Sequence, residues 1–330
     1  MQRQSNIELC RIISILFVVF LHSDFSVFGY PSNLNYVKWP LILGESFSII
    51  GVNVFLIISG FFSISIKKKS LFNLFYICLF YSILRIFVDI VCDSGISFLK
   101  FFFISRSNWF IPCYIGLLLF SSFLNQAKFL DKKKYKRLLF SIIIFVFWFD
   151  IFPAVSQIPL GIQRGYSVFH FIVMYLIGKY IYLYDVPSVV FKHSFLLYFL
   201  SSFALFILVY FVQIFSETDF LIKKLFAYSN PIIIFSSICF FISFKKISFG
   251  INKVINYLAQ SVLAVLLIHS CEEAIIFLHP YYHFLYDQYS GFICVILWLI
   301  SILTVFFISV LVDQIRIFSY KYISSKIIIP

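Results

Sequence analysis

The stretch RIISILFVVFLH, Arg11 to His22, places ten uncharged residues between a guanidinium and an imidazole. As a helix those ten residues rise about 15 Å, half the roughly 30 Å of a hydrocarbon core. At least one of the two end groups therefore sits at hydrocarbon depth. That position costs a few kcal/mol unless the group faces protein or water. Eleven residues at about 100° each bring Arg11 and His22 back to one helix face, about 16 Å apart along the axis. Glu8 precedes Arg11 at the i, i+3 spacing of an ion pair, so one stripe carries carboxylate, guanidinium and imidazole. The plain alternative is a snorkelling Arg11 and a His22 that marks the opposite interface.

Composition says which solvent this stretch meets. Of 330 residues 62% are hydrophobic, 22% aromatic and only 12% charged, with mean hydropathy +1.00. The charged share is about half that of a soluble globule. Apolar runs of spanning length recur at 7–28, 42–66, 71–91, 109–126, 138–152, 167–184, 195–215, 231–244, 255–278 and 291–315. The expectation is an all-α polytopic membrane helix bundle of about ten transmembrane helices, a single domain over 1–330 with no soluble module. The first apolar run lacks a small-residue cleavage site and reads as a retained span rather than a signal peptide.

The formal charge of +12 would suggest nucleic acid in a soluble domain, but here it follows topology. With the N-terminus in the cytoplasm, eighteen Lys and Arg fall on inside segments, six on outside segments and two, Arg11 and Arg85, within spans. That bias predicts both termini cytoplasmic. The strongest inside run, AKFLDKKKYKR, reads as an ordinary basic loop or as a binder of an anionic cofactor tail. The outer stretches CDSGISFLKFFFISRSN and FPAVSQIPLGIQRGYS have the turn formers and aromatics of a cavity lip. Seven scattered cysteines without a CxxC spacing suggest neither a disulfide framework nor a metal site.

Other polar residues in apolar runs are candidates for a site. Asn53, in GVNVFLIISGFF, either bonds a neighbouring helix or helps line a polar cavity; Gly51, Ser59 and Gly60 permit close helix approach. Arg85 and Asp89, four apart, either neutralise each other or leave Arg85 for a cofactor phosphate. His269 opens HSCEE, where Glu272 or Glu273 is placed to fix its tautomer. His170 reads as interfacial, and His193, His279 and His283 fall in loops. No GxSxG elbow supports a serine hydrolase.

The pattern N6-I-E8-L-C-R11 through His22, followed by Gly51 to Gly60 as G-V-x-x-F-x-x-x-S-G, resembles the acyltransferase 3 family of integral-membrane acyltransferases. NWFIPCYIGLLLF, YSVFHFIVMYLIGKYI and INYLAQSVLAVLLIH resemble that family's later spans, so the likeness covers nearly the whole chain. Many members O-acetylate bacterial surface polysaccharides. The resemblance implies a multi-pass protein of the bacterial cytoplasmic membrane that passes an acetyl group from acetyl-coenzyme A, a donor substrate rather than a resident cofactor, to a glycan hydroxyl. It points to Arg11 and His22 as the essential pair, with Glu8 orienting Arg11. Arg11, Arg85 and Ser59 are then candidates for the donor, and Asn53, Trp109, His269 and Glu272 for the acceptor. The expected partners are acyl-coenzyme A, a polysaccharide or its lipid-linked precursor, and membrane lipid. Two departures stand out. Trp109 is followed by Phe-Ile-Pro-Cys-Tyr without the acid pair of some members, and the chain ends soon after the last span, where others fuse a soluble domain. Transfer is thus expected within the membrane domain or through a separate partner. A flippase of a lipid-linked glycan, or an acyl carrier without glycan chemistry, is the rival reading.

Overall fold

The computed structural model describes residues 3–23, 39–91, 109–151, 163–215 and 220–326. Both outer stretches read as a cavity lip fall largely outside these residues, as does Cys92. Among the described residues the protein is all-helical, without a strand. In chain order the helices are α1 (Ser5–Ser23), α2 (Trp39–Ser48), α3 (Gly51–Phe61), α4 (Lys68–Val91), α5 (Phe110–Leu124), α6 (Lys132–Ile151) and α7 (Val168–Leu183). Then come α8 (Ser188–Phe215), α9 (Phe220–Leu225), α10 (Pro231–Lys246), α11 (Lys253–Leu258), α12 (Val262–His269), α13 (Glu272–Gln288) and α14 (Gly291–Lys326). Short 3-10 turns cover Asn125–Phe129, Gln163–Gly165 and Ala259–Ser261.

Within the described residues every expected apolar run falls on a helix, with adjustments. Among the described residues six segments are long and apolar enough to cross a bilayer, and a bent pair makes a seventh if it counts as one crossing. The helices α6, α7 and α10 occupy three more of the expected places; α6 carries five cations in its first six residues, and α7 and α10 have 16 residues each. The expected ninth span is not one straight helix. Lys253–His269 and Glu272–Gln288 meet at a bend of 82°. The break follows from chemistry that a hydropathy window averages away: Ser270 and Cys271 end one helix, and two acids at the start of the next suit its positive N-terminal dipole. His279 and His283 lie on α13 rather than in a loop, and His193 lies inside α8 rather than in a loop. The lysine run of the basic connection likewise belongs to the first turns of α6. Asp131 caps that helix, accepting from the Lys134 backbone N–H at 2.8 Å, and this bond holds its carboxyl below the usual carboxylate range.

The chain divides into two compact units: Met1–Ser65 with Cys113–Asn256, and Ile66–Pro112 with Tyr257–Pro330. In the first, α3 packs on α1, α7 and α10, and α8 packs on α2 and α10. The segment Trp39–Phe61 is 72% buried over its apolar window, more than the other five candidate spans, which makes it the unit's central element. In the second unit Ile77, Cys78, Tyr81, Ile111, Ala264 and Leu267 form a core between α4 and α12. Serines within the apolar helices donate back to their own backbone: Ser14 to Cys10, Ser46 to Ile42, Ser237 to Ile233 and Ser243 to Cys239, at 2.6–2.8 Å. Such bonds satisfy the hydroxyl where no water is at hand.

The helices α3 and α7 touch backbone to backbone. A Cβ on Gly60 would lie 1.9 Å from the Tyr175 carbonyl oxygen, and one on Gly178 would lie 2.1 Å from that of Ile57. Gly51 makes a similar approach to α1, where a Cβ would stand 2.7 Å from the Ser14 oxygen. The expected role of Gly51 and Gly60 in close packing is what the structure shows. Gly60→Val and Gly178→Val are each expected to destabilise the protein by about 1–3 kcal/mol or more, because backbone cannot move aside as a side chain can. Thermal unfolding of the detergent-solubilised protein, followed by fluorescence-detected size exclusion, checks this; melting unchanged from wild type contradicts it.

Candidate active site

The residues expected on α1 form a protein-facing stripe. Arg11 Nη1 meets Glu8 Oε2 at 3.2 Å, the expected i, i+3 pair, with Glu8 buried and the guanidinium partly exposed. Between Arg11 and His22 the stripe continues through Ile15 and Val18, which are 1% and 3% exposed. The Val18 side chain lies against Gly51 of α3. His22, in the last turn, is half-buried. The stripe thus has two ionisable ends that are neither sealed in nor turned wholly outward. One end is suited to hold negative charge and the other to take up a proton.

A second polar layer lies beside it. His170 Nε2 donates to Asn53 Oδ1 at 2.8 Å, and Asn53 Nδ2 donates to the Tyr228 carbonyl at 3.0 Å. Of the two readings open for Asn53, the bond to a neighbouring helix is the one observed. His170 is 1% exposed, buried within the protein. Ser167 caps α7 by accepting from the His170 backbone N–H, and this first turn carries the ring inward to the amide. Gly165, at φ +90°, brings the preceding turn onto the layer; a Cβ there would crowd Tyr228 at 2.6 Å and His170 at 3.3 Å. Glu45 of α2 is fully buried within electrostatic reach of Tyr166 and Tyr228. The sequence reading passed over it, although an acid inside the apolar run LILGESFSIIG was a visible signal. The Ser59 hydroxyl donates to the Phe55 carbonyl at 2.9 Å.

The remaining candidates belong to the second unit. Arg85 Nε donates to Glu273 Oε2 at 3.0 Å, so its carboxylate partner comes from α13 as well as from any neighbour on α4. The pair borders a cavity of about 220 Å³ lined by Tyr81, Leu84, Leu267, Cys271 and Phe277 among others. His269 is buried and its Nδ1 donates to the Val265 carbonyl at 2.5 Å. A backbone oxygen, rather than a following glutamate, fixes that nitrogen's proton. Glu272 is exposed in the first turn of α13, and Trp109 is partly exposed against Phe110. The unit also holds a buried network that the sequence reading did not single out. Arg316 donates twice to Asp313 at 2.7 Å, and Tyr81 donates to the same carboxylate at 2.7 Å. Glu8, Arg11, His22, Asn53 and Ser59 therefore share the first unit, while Arg85, Trp109, His269 and Glu272 share the second.

Residues 4–313 match the profile of the acyltransferase 3 family, an acyltransferase domain, and the chain belongs to that family. No curated protein and no solved structure matches it. The helices and the family together identify an integral membrane protein of the acyltransferase type.

Asn53→Ala leaves the buried His170 Nε2–H and the Tyr228 carbonyl each without this partner. The expected destabilisation is about 1–3 kcal/mol per stranded group, read as a lower melting temperature. Asn53→Ala with wild-type melting would show that the layer is not under this constraint.

Proposed function

We propose that this acyltransferase moves an acetyl or related acyl group from acyl-coenzyme A to a hydroxyl of a cell-surface polysaccharide or its lipid-linked precursor. It would do so in a bacterial cytoplasmic membrane, with about ten crossings and both termini in the cytoplasm. The observation that carries the reading is the continuous, protein-facing stripe of α1 with Arg11 toward one end and His22 at the other, in a chain of this family.

The chemistry needs few parts. A sugar hydroxyl is a poor nucleophile until a base takes its proton. In this reading neutral His22 accepts that proton as the hydroxyl oxygen bonds to the thioester carbonyl carbon. The carbon–sulfur bond then breaks, and the imidazolium returns the proton to the leaving thiolate. The products are an O-acyl ester and free coenzyme A. About 16 Å along the axis from His22, Arg11 orients the stripe through its pair with Glu8 and sets the potential along the path to the base. Arg85 and Ser59 for the donor, and Trp109, His269 and Glu272 for the acceptor, complete the assignment. Asn53, with both amide atoms engaged, serves as a positioning residue.

Purified protein given labelled acetyl-coenzyme A and glycan is expected to label the glycan and release free coenzyme A. His22→Ala should lower that rate about a hundredfold or more with unchanged membrane insertion. Arg11→Ala should lower the turnover rate with little change in donor affinity, and Arg11→Lys should restore part of that rate. Wild-type acylation by the His22 variant rules out the base. Glycan crossing liposomes with no acylation supports a flippase instead.

A further inference from the structure

The helices α3, α7 and α10 end together. Lys245 Nζ of α10 reaches the Ile181 carbonyl of α7 at 3.5 Å and stands 5.4 Å over the Phe61 ring at the end of α3. The Phe61 ring in turn meets the Tyr182 ring of α7, with centroids 5.4 Å apart. Converging C-termini concentrate partial negative charge, which favours cations there. One of those cations is unusual. Lys179 is only 5% exposed, and its Nζ meets neutral atoms: Ser63 Oγ at 2.6 Å and Asn125 Oδ1 at 3.3 Å.

Both partners are themselves held. Asn125 Oδ1 also accepts from Tyr175 at 2.8 Å, and its Nδ2 donates to the Ile64 carbonyl at 3.0 Å. Ser63 sits at φ +55°, a left-handed conformation that non-glycine residues adopt only at a cost. The nearby charge is a second cation, Lys128, which is exposed on the turn before α6. Among the described residues Lys128, Lys179 and Lys245 make no ion pair with a carboxylate, whereas Asp131 of the same region is bound to Lys134 at 3.4 Å. Burying an ammonium without a counter-charge is costly, and the cost falls when an anion arrives. Beside Lys179 stands an aromatic face that is open rather than packed away: Tyr182 is 56% exposed, its ring centroid 6.0 Å from the Lys179 Nζ.

We infer that Lys179, Lys128 and Lys245 form a binding site for a phosphate ester at this end of the first unit, filled by the nucleotide part of the acyl donor with its base against Tyr182. The ordered Ser63 and Asn125 hold the Lys179 ammonium in place, so the site is built before the ligand arrives. This inference rests on the acyl-coenzyme A reading above and deepens it. It assigns the donor's phosphates to residues other than Arg11, whose charge is already met by Glu8.

The test uses the full chain in nanodiscs of uncharged lipid, with coenzyme A, its 3′-dephospho form and phosphate-free pantetheine as probes. Wild type should bind coenzyme A in a salt-sensitive way, and pantetheine much more weakly. Lys179→Met should weaken coenzyme A about tenfold and leave pantetheine unchanged, while Lys179→Arg should stay within about threefold of wild type. Lys128→Ala changes an exposed side chain and so tests the site without risk to the fold; a weakening of about threefold is expected. Equal coenzyme A affinity in wild type, Lys179→Met and Lys128→Ala overturns the site and leaves the acyltransferase reading standing. A wild type that binds no coenzyme A removes that reading itself. A second arm measures anionic lipid retained by the purified protein in native mass spectrometry. Lipid lost with Lys179→Met, while coenzyme A binding is unchanged, assigns the cations to a lipid headgroup and overturns the donor site.

Discussion

The backbone contact between α3 and α7 organises the first unit. With Gly60 under the Tyr175 carbonyl and Gly178 under that of Ile57, the two helices lie closer than any larger residue would allow. Their cross-links keep a nearly constant offset: Asn53 to His170 spans 117 residues and Ser63 to Lys179 spans 116. A constant offset means the helices run parallel, so one glycine-mediated seam carries a polar link at each end. The Asn53–His170–Tyr228 layer is at one end of the seam and the lysine cluster at the other. Widening the seam by the width of a methyl group would stretch both.

The apolar surroundings dictate how the remaining charge is handled. Glu8 with Arg11 and Asp313 with Arg316 are i, i+3 pairs on single helices, and Arg85 with Glu273 joins two helices. Where both partners are buried, as in Arg316 with Asp313, such pairs add little net stability over apolar packing, yet losing one partner costs about 3–5 kcal/mol. They are therefore better read as constraints on where the cations can be than as the source of the fold's stability. Arg316 shows the point: two bonds donated to Asp313 fix its guanidinium, and the Tyr81 hydroxyl takes up more of the same carboxylate. Little of that carboxylate is left for a substrate.

Hydropathy, spacing and charge made most of the helices legible, because the length of an apolar run and its flanking cations are local properties. The Glu8–Arg11 pair and the single face shared by Arg11 and His22 were legible for the same reason: both follow from 3.6 residues per turn. The bend after His269 was not, since an averaging window passes over two polar residues between apolar turns. The burial of His170 was hidden by its position at the start of a helix, where an interfacial histidine and one folded inward onto Asn53 have the same sequence. Lys179 read as one more inside cation. Only the structure shows that Ser63 and Asn125, 116 and 54 residues away, draw its ammonium out of solvent.

Two cations in the first unit can be weighed as partners for an anionic donor, and the geometry separates them. Arg11 is the more accessible, but Glu8 at 3.2 Å already neutralises it, so an incoming phosphate gains attraction there only by competing with a carboxylate. Lys179 is the more buried, with only a hydroxyl and an amide oxygen as polar partners; neither offsets a full charge. An arriving phosphate would strengthen its interaction with Lys179 in a medium of low effective dielectric and would displace no acid. Arg11 is then free for a different duty. Paired, held on the same stripe as His22 and about three turns from it, in the proposed reaction it would tune the potential along the path between the acyl donor and His22 without becoming the donor's anchor. The division follows from the placement of one glutamate: it quenches the guanidinium on α1 and leaves the ammonium on α7 without a counter-charge.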